Sequence, residues 1–224
     1  MLPGDPGKLF TFSTIVLINC GLVELSNLEP VGASLVHLCL SNQSITQMCG
    51  LSALPQLRHL YLQQNRIAQI EGLERWEALV LSQGCFTLAA NSRLSTCHSC
   101  RKLQTLWLYD NRLTKVENLG YCTDLRELWL QVIRVHVLKA TSGGVSELVS
   151  LKTLNLANNR IRDVEEFEHL RKLIALRQLT FRDEHFGSNP IVDHPDYRSF
   201  AVTTLKQVCS PRFACIRCAT TQAS

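Results

Sequence analysis

Apolar residues return along this chain in one phrase. Leu57, Leu60, Leu62, Asn65, Ile67 and Ile70 come back as Leu103, Leu106, Leu108, Asn111, Leu113 and Val116, then as Leu151, Leu154, Leu156, Asn159, Ile161 and Val164. The second and third leucines stand two apart, the period at which strand side chains share a face. Each phrase therefore predicts a short strand. Leu60 and Leu62 turn into a core, while His59, Tyr61 and Gln63 turn away. The asparagine falls where the chain leaves the strand. A buried amide there can bond backbone groups that would otherwise have no partner.

Aligned on the first apolar residue, units start at Phe12, Leu35, Leu57, Leu103, Leu125, Leu151 and Leu176. The intervals, by subtraction, are 23, 22, 46, 22, 26 and 25 residues. The long one equals two units of 23, so a unit between Leu57 and Leu103 is missing or degenerate. A period of roughly 20 to 29 residues written L-x-x-L-x-L-x-x-N-x-L is the signature of a leucine-rich repeat. The expected fold is α/β: a right-handed solenoid of about seven or eight repeats, with a parallel concave sheet and short helical or 3₁₀ segments on the convex side. Each buried leucine contributes about 1.5–3 kcal/mol. A single unit cannot bury its own apolar face, so stability comes from stacking.

A second signature follows each turn: Leu25-Ser-Asn-Leu28, Met48-Cys-Gly-Leu51, Ile70-Glu-Gly-Leu73, Val116-Glu-Asn-Leu119 and Val164-Glu-Glu-Phe167. With a period near 22 residues, it resembles the short leucine-rich repeats of the nuclear protein phosphatase-1 regulatory subunit. That class also includes axonemal dynein light chain, the U2 small nuclear ribonucleoprotein A-prime protein and many ciliary proteins. The resemblance covers about Phe12 to Phe200. Asn189-Pro190 and His194-Pro195-Asp196-Tyr197-Arg198-Ser199-Phe200 resemble the cap that closes such arrays. Tyr197 and Phe200 are expected to cover the raw apolar edge of the last repeat.

The expected organisation is an N-terminal extension over 1–11, a repeat domain over 12–207 with its cap at about 187–200, and an irregular tail over 208–224. The pattern breaks at 74–102 and at 131–147. In the second break Ile133 takes the asparagine place and Thr141-Ser-Gly-Gly144 reads as an inserted loop. Two readings of these breaks stay open: functional insertions, which often bind, or splice and gene-model irregularities in a regular array.

Composition narrows the function. The chain has 224 residues, 46% of them hydrophobic, with 23 basic against 19 acidic residues and a net charge of +4. That charge makes nucleic acid an unlikely partner. No apolar run reaches the roughly 18 residues of a membrane span, and no secretory signal is read at the N-terminus. Ten cysteines in such a chain are expected to be reduced thiols. The expected location is cytoplasmic, at a cilium, flagellum or cytoskeletal structure, with the nucleus as another setting.

Alternation along the strands assigns the exposed face. Tyr61, Trp107 and Trp129 fall between paired core leucines, and Tyr109 and Arg182 lie two residues beyond such places. Parallel strands sit about 4.8 Å apart, so Trp107, Tyr109 and Trp129 should form one cluster. Exposed Trp and Tyr are favoured anchors at interfaces. His37, His59, Glu127 and Arg182 would add polar contacts. His37 and His59 share a column, with Cys39 nearby, but no carboxylate orients a catalytic histidine and a Cys–His nucleophile lacks its third member. Cys97-His-Ser-Cys100 and Cys215-Ile-Arg-Cys218 have the spacing of zinc ligands, yet lie far apart in a rigid array. Glu71, Glu117, Glu165 and Glu166 read as solvated positions on the convex side.

No catalysis, metal or cofactor is expected. Asn65, Asn111, Asn159, Tyr197 and Phe200 are assigned structural roles. The expected function is a scaffold or adaptor holding a protein on its concave face. The family resemblance adds two alternatives, a phosphatase regulatory subunit and an axonemal component, with a ribonucleoprotein component less favoured.

Overall fold

The computed structural model describes residues 11–73, 99–138 and 143–208. Seven three-residue strands form one parallel sheet in chain order: β1 Thr14–Val16, β2 His37–Cys39, β3 His59–Tyr61, β4 Thr105–Trp107, β5 Glu127–Trp129, β6 Thr153–Asn155 and β7 Gln178–Thr180. The register follows the leucines. Leu38, Leu60, Leu106, Leu128, Leu154 and Leu179 are successive partners across the sheet, and all are buried. Each coil thus presents one rib to a shared spine, the architecture of a leucine-rich repeat solenoid.

Among the described residues the return paths carry only short helical segments. They hold 3₁₀ turns at Leu51–Ala53, Ser99–Lys102, Val145–Glu147 and Val164–Leu170, and a four-residue helix α1 at Glu29–Gly32. Leu51, Val145, Val164, Phe167 and Leu170 on these segments pack against the back of the sheet residues.

Strand β3 pairs directly with β4, Tyr61 opposite Trp107. The interval of 46 residues therefore spans one step of the sheet, and no strand of the sheet separates these two. Residues 74–98 of that interval lie outside the described residues. The second break is packed on both sides of residues 139–142: Ile133, Val135, Leu138, Val145 and Leu148 are all buried.

A ladder of side-chain amides stitches the coils. Asn65 Oδ1 accepts from the Ile45 N–H while its Nδ2 donates to the Leu40 and Leu62 carbonyls. Asn111 repeats the pattern with Ile67, Leu62 and Leu108, and Asn159 with Val135, Leu130 and Leu156. Two amides not assigned from the sequence extend it. Gln43 Oε1 accepts from the Cys20 and Leu22 N–H groups, and Asn189 bonds Ile161, Leu156 and Phe181. Ile133 is the apolar exception.

In the six coils before the cap the residue preceding this place is left-handed: Asn19, Asn42, Gln64, Asp110, Val132 and Asn158 have φ between 50° and 59°. Asparagine and aspartate tolerate that region, whereas a β-branched residue there is an outlier costing about 1–3 kcal/mol. Val132, at φ 54°, is therefore the strained member of the set. Val132→Asn is expected to stabilise the array by about 1 kcal/mol, read as a rise of about 2–4 °C in thermal midpoint. A lower midpoint would contradict this.

The second signature has a backbone cause as well. Asn27, Gly50, Gly72 and Asn118 all have φ between 58° and 86°. A Cβ on Gly72 would meet the Met48 carbonyl oxygen of the preceding coil. Asn118 meets its neighbour differently, donating from Nδ2 to the Ile70 carbonyl at 2.8 Å. Gly72→Ala combines positive φ with a backbone collision and is expected to lower stability by about 1–3 kcal/mol in urea unfolding. An unchanged midpoint would show that the coil spacing gives way.

Two expectations require correction. Glu166 is not a solvated convex position: it is 8% exposed and its carboxylate accepts the Leu138 N–H. It faces inward because it satisfies a backbone donor of the neighbouring coil, which the polarity pattern does not reveal. Glu165 is exposed, and Glu71 and Glu117 are half-buried. Secondly, the thiols are not uniformly reduced. Cys20 and Cys39 are free thiols, but Cys49 is disulfide-bonded.

The array ends in a cap. A hairpin of β8 Arg182–Asp183 and β9 Gly187–Ser188 precedes a 3₁₀ turn at Pro190–Asp193 and helix α2 at Tyr197–Thr204. Tyr197 is buried, its ring 5.6 Å from Phe167 and 6.3 Å from Phe181. Phe200 is partly buried against the core. The packing continues to Leu205 and Val208, both fully buried, while 209–224 lie outside the described residues.

Candidate functional site: an aromatic row on the concave face

The strand residues on either side of each core leucine point out of the sheet. The register builds three rows. His37, His59, Thr105 and Glu127 follow one another in the first, and Cys39, Tyr61, Trp107, Trp129 and Asn155 in the second. Ser41, Gln63, Tyr109, Gln131 and Ala157, two residues further on, make the third.

The second row is a continuous aromatic stack. Tyr61 meets Trp107 edge-on at 4.9 Å between centroids, and Trp107 stacks on Trp129 at 4.7 Å with a 22° interplanar angle. Tyr109 leans on both indoles, at 6.2 and 6.4 Å. All four rings are half-buried. Such pairs contribute about 0.5–1.5 kcal/mol beyond area burial, so the row is stiff.

Phe186 is a fifth ring absent from the sequence assignment. It lies 5.6 Å from Tyr109, so the cap hairpin reaches back across the sheet to the coil of β4. Asp183 Oδ1 accepts from the His185 and Phe186 N–H groups and shapes that bend. Asp183 before a Phe-Gly pair is a legible turn signal; its reach over three coils is not.

Several polar atoms of this face are buried without a hydrogen-bond partner: Nε1 of Trp107 and Trp129, Oε1 of Gln63, both amide atoms of Gln131, and Nδ1 of His37. Gln131 is fully buried. Burial raises the hydroxyl pKa of Tyr61, with Glu127 and Cys39 adding to it. Burial likewise raises that of Tyr109, helped by Asp110 and Cys39. Both phenols therefore stay protonated donors at neutral pH.

His37 and His59 stack face to face at 4.4 Å and 6°. Burial, then His37 and Arg58, lower the His59 pKa, and its Nδ1 lies 3.1 Å from Thr105 Oγ1. His59 is thus biased towards its neutral ring. Cys39 Sγ sits 3.4 Å from Ser41 Oγ. Among the described residues no three of His, Cys, Asp or Glu are placed to hold a metal ion. Both C-x-x-C pairs fall outside the residues whose side chains are described.

Glu127 belongs to the first row, half-buried. Arg182 leaves the sheet, exposed in the cap hairpin. The aromatic anchors and Glu127 are therefore brought together, His59 shares β3 with Tyr61, His37 lies one coil before it, and Arg182 stands at the far end. Among the described residues no helix is long and apolar enough to cross a membrane.

Stacked strand rungs, an amide ladder and a concave sheet define a solenoid repeat protein. The chain is a leucine-rich repeat protein: the Leucine Rich Repeat family model matches residues 150–173. It is 35% identical over 161 residues to leucine-rich repeat-containing protein 23 of Bos taurus and 33% identical over 161 residues to that of Homo sapiens. Each alignment covers 72% of this chain and 44% of the relative, so the chain spans less than half the length of these proteins. Among solved structures it is similar to internalin C2 of Listeria monocytogenes, at 22% identity over 80% of this chain and 72% of that one, TM-score 0.49. A Drosophila melanogaster SNF/U2A′ complex matches at 21% identity over 70% of this chain and 74% of that one, TM-score 0.47. Repeat arrays of this kind offer extended concave surfaces for binding.

Proposed function

We propose that the protein is a non-catalytic scaffold or adaptor that holds a protein partner against its concave face. The observation that carries this is the unbroken row Tyr61–Trp107–Trp129 flanked by Tyr109. Trp and Tyr that are rigid, half-exposed and central on a surface have the properties of binding anchors. Holding the rings in place beforehand reduces the entropy lost on association. In this reading Glu127, His37 and His59 add polar contacts beside the row, and Arg182 adds one from the cap.

The cellular setting proposed is a ciliary or other cytoskeletal assembly, on the strength of the repeat signature. A phosphatase catalytic subunit is the alternative partner class on the same ground. Affinity purification of the tagged chain from ciliated cells, beside a Trp107→Ala/Trp129→Ala variant, tests both. Axonemal or cytoskeletal proteins should be captured by the parent and lost by the variant. Capture of a phosphatase with the same dependence would favour the alternative, and equal capture by both chains would remove the concave face from consideration.

A further inference from the structure

A different surface carries a second pattern. The residue after the amide place is Arg66, Arg112, Arg134 and Arg160 in four consecutive coils. Their backbones form a ladder of their own: each arginine N–H donates to the preceding coil, to the carbonyls of Ile45, Ile67, Leu113 and Val135 at 2.8–2.9 Å. One arginine therefore stands on each rung, and adjacent rungs are about 4.8 Å apart. All four are exposed. Among the described residues none of their guanidinium groups makes an ion pair or a side-chain hydrogen bond. Lys115 and Arg162 follow in the same connecting segments, which also carry Glu71, Asp110, Glu117, Asp163, Glu165 and the inward-facing Glu166.

The track has an extension. In the two coils before Arg66 the same place holds Gly21 and Ser44, and the side chains shorten into a shallow polar hollow of about 430 Å³. Its lining includes Asn19, Asn42, Gln64 and Arg66.

We propose that this arginine ladder docks an acidic helix of a protein partner, laid along the solenoid axis with one carboxylate per turn meeting one arginine per coil. Charge sign and spacing both argue for that occupant. Guanidinium groups match carboxylates in two-point geometry. A helix repeats each 5.4 Å, with side chains three or four apart separated by about 5–6 Å, close to the rung spacing. An extended peptide repeats a face about every 6.6 Å and drifts out of step within three rungs. The four rungs span about 14 Å, or roughly three helical turns. Each exposed pair is weak alone, so the ladder acts through register and charge steering.

The probe is a fluorescent helical peptide of about 15 residues carrying glutamate on one face at each turn. Its control has the same composition with the glutamates dispersed around the helix. Anisotropy is measured with the full chain, with Arg112→Gln/Arg134→Gln and with Trp107→Ala/Trp129→Ala. The one-faced peptide should bind, weaken about tenfold or more in the double arginine variant, weaken with added salt and be indifferent to the tryptophan changes. Equal binding of the dispersed peptide, or an unaffected arginine variant, overturns the proposal. So does tighter binding of a single-stranded oligouridine of similar length, which would make the ladder a phosphate track. Both arginines are exposed, and unchanged circular dichroism of the variant keeps a loss of binding attributable to charge.

Discussion

Asn159→Leu is expected to destabilise the array by about 2–4 kcal/mol. The amide links two coils through four bonds: from the Val135 N–H, and to the Leu130, Leu156 and, at 3.4 Å, Ala157 carbonyls. Leucine has the same branched side-chain skeleton and accepts burial, so the change chiefly removes those bonds. It leaves the Val135 N–H and the Leu130 carbonyl without their partner, while the Leu156 carbonyl keeps the Asn189 amide, and each unpartnered group costs about 1–3 kcal/mol. Some of that is offset by the extra apolar surface of leucine and by local relaxation. With a urea dependence of about 1–3 kcal/mol per molar, the midpoint should fall by about 1–2 M. Because each coil contacts only its neighbours, the transition should also broaden as the two halves uncouple. A midpoint unchanged within error would mean the ladder only decorates an array held by leucine packing. Ile133 supplies the internal comparison: at that rung the protein already tolerates an apolar residue, so the cost at Asn159 measures what the rung at Ile133 lacks.

The legible part of this molecule is the part with a local cause. The spacing of Leu60 and Leu62 dictates which face each residue of β3 shows, and the same spacing recurs at β4, β5 and β6, so the pairing of Trp107 with Trp129 follows from alternation alone. The step from β3 to β4 is legible only as a choice between a missing and a degenerate unit. A 46-residue interval counts as two units, but hydrogen bonding carries Leu60 straight to Leu106. Periodicity measures length along the chain, whereas the sheet measures length across it. Asn189 escaped for the same reason: it performs the amide function 30 residues after Asn159, by subtraction, because the cap hairpin lies between. Phe186 depends on that hairpin folding back over three coils, and Glu166 on a backbone donor in another coil. Neither relation leaves a trace in local polarity. The arginine ladder, by contrast, stood in plain alignment one place after the amides and needed only the rungs to be superimposed.

Removing both indoles with Trp107→Ala/Trp129→Ala is expected to weaken partner capture by about a hundredfold or more. Central aromatic anchors cost at least about 2 kcal/mol each on truncation, and each 1.4 kcal/mol is tenfold in affinity. The array itself should survive. The rings stand outside the spine, and Leu106 and Leu128 beneath them remain fully buried. What the fold loses is the ring contacts at 4.7 and 4.9 Å and the looser ones to Tyr109 at 6.2 and 6.4 Å, worth about 1–2 kcal/mol together. That corresponds to a fall of about 2–8 °C in thermal midpoint for a chain of this size. The two readouts separate binding from folding. The single changes should not add, because each indole is packed by the other: the first truncation loosens the survivor as well as deleting an anchor. Trp129→Phe refines the result. It keeps a ring in the stack but deletes an N–H that has no partner in the free protein. If the partner supplies an acceptor to that group, phenylalanine should lose affinity while stability holds; if the ring face alone matters, phenylalanine should bind nearly as well as tryptophan. Full capture by the double alanine variant would exclude the aromatic row as the anchor and move the search for the interface to another face of the solenoid.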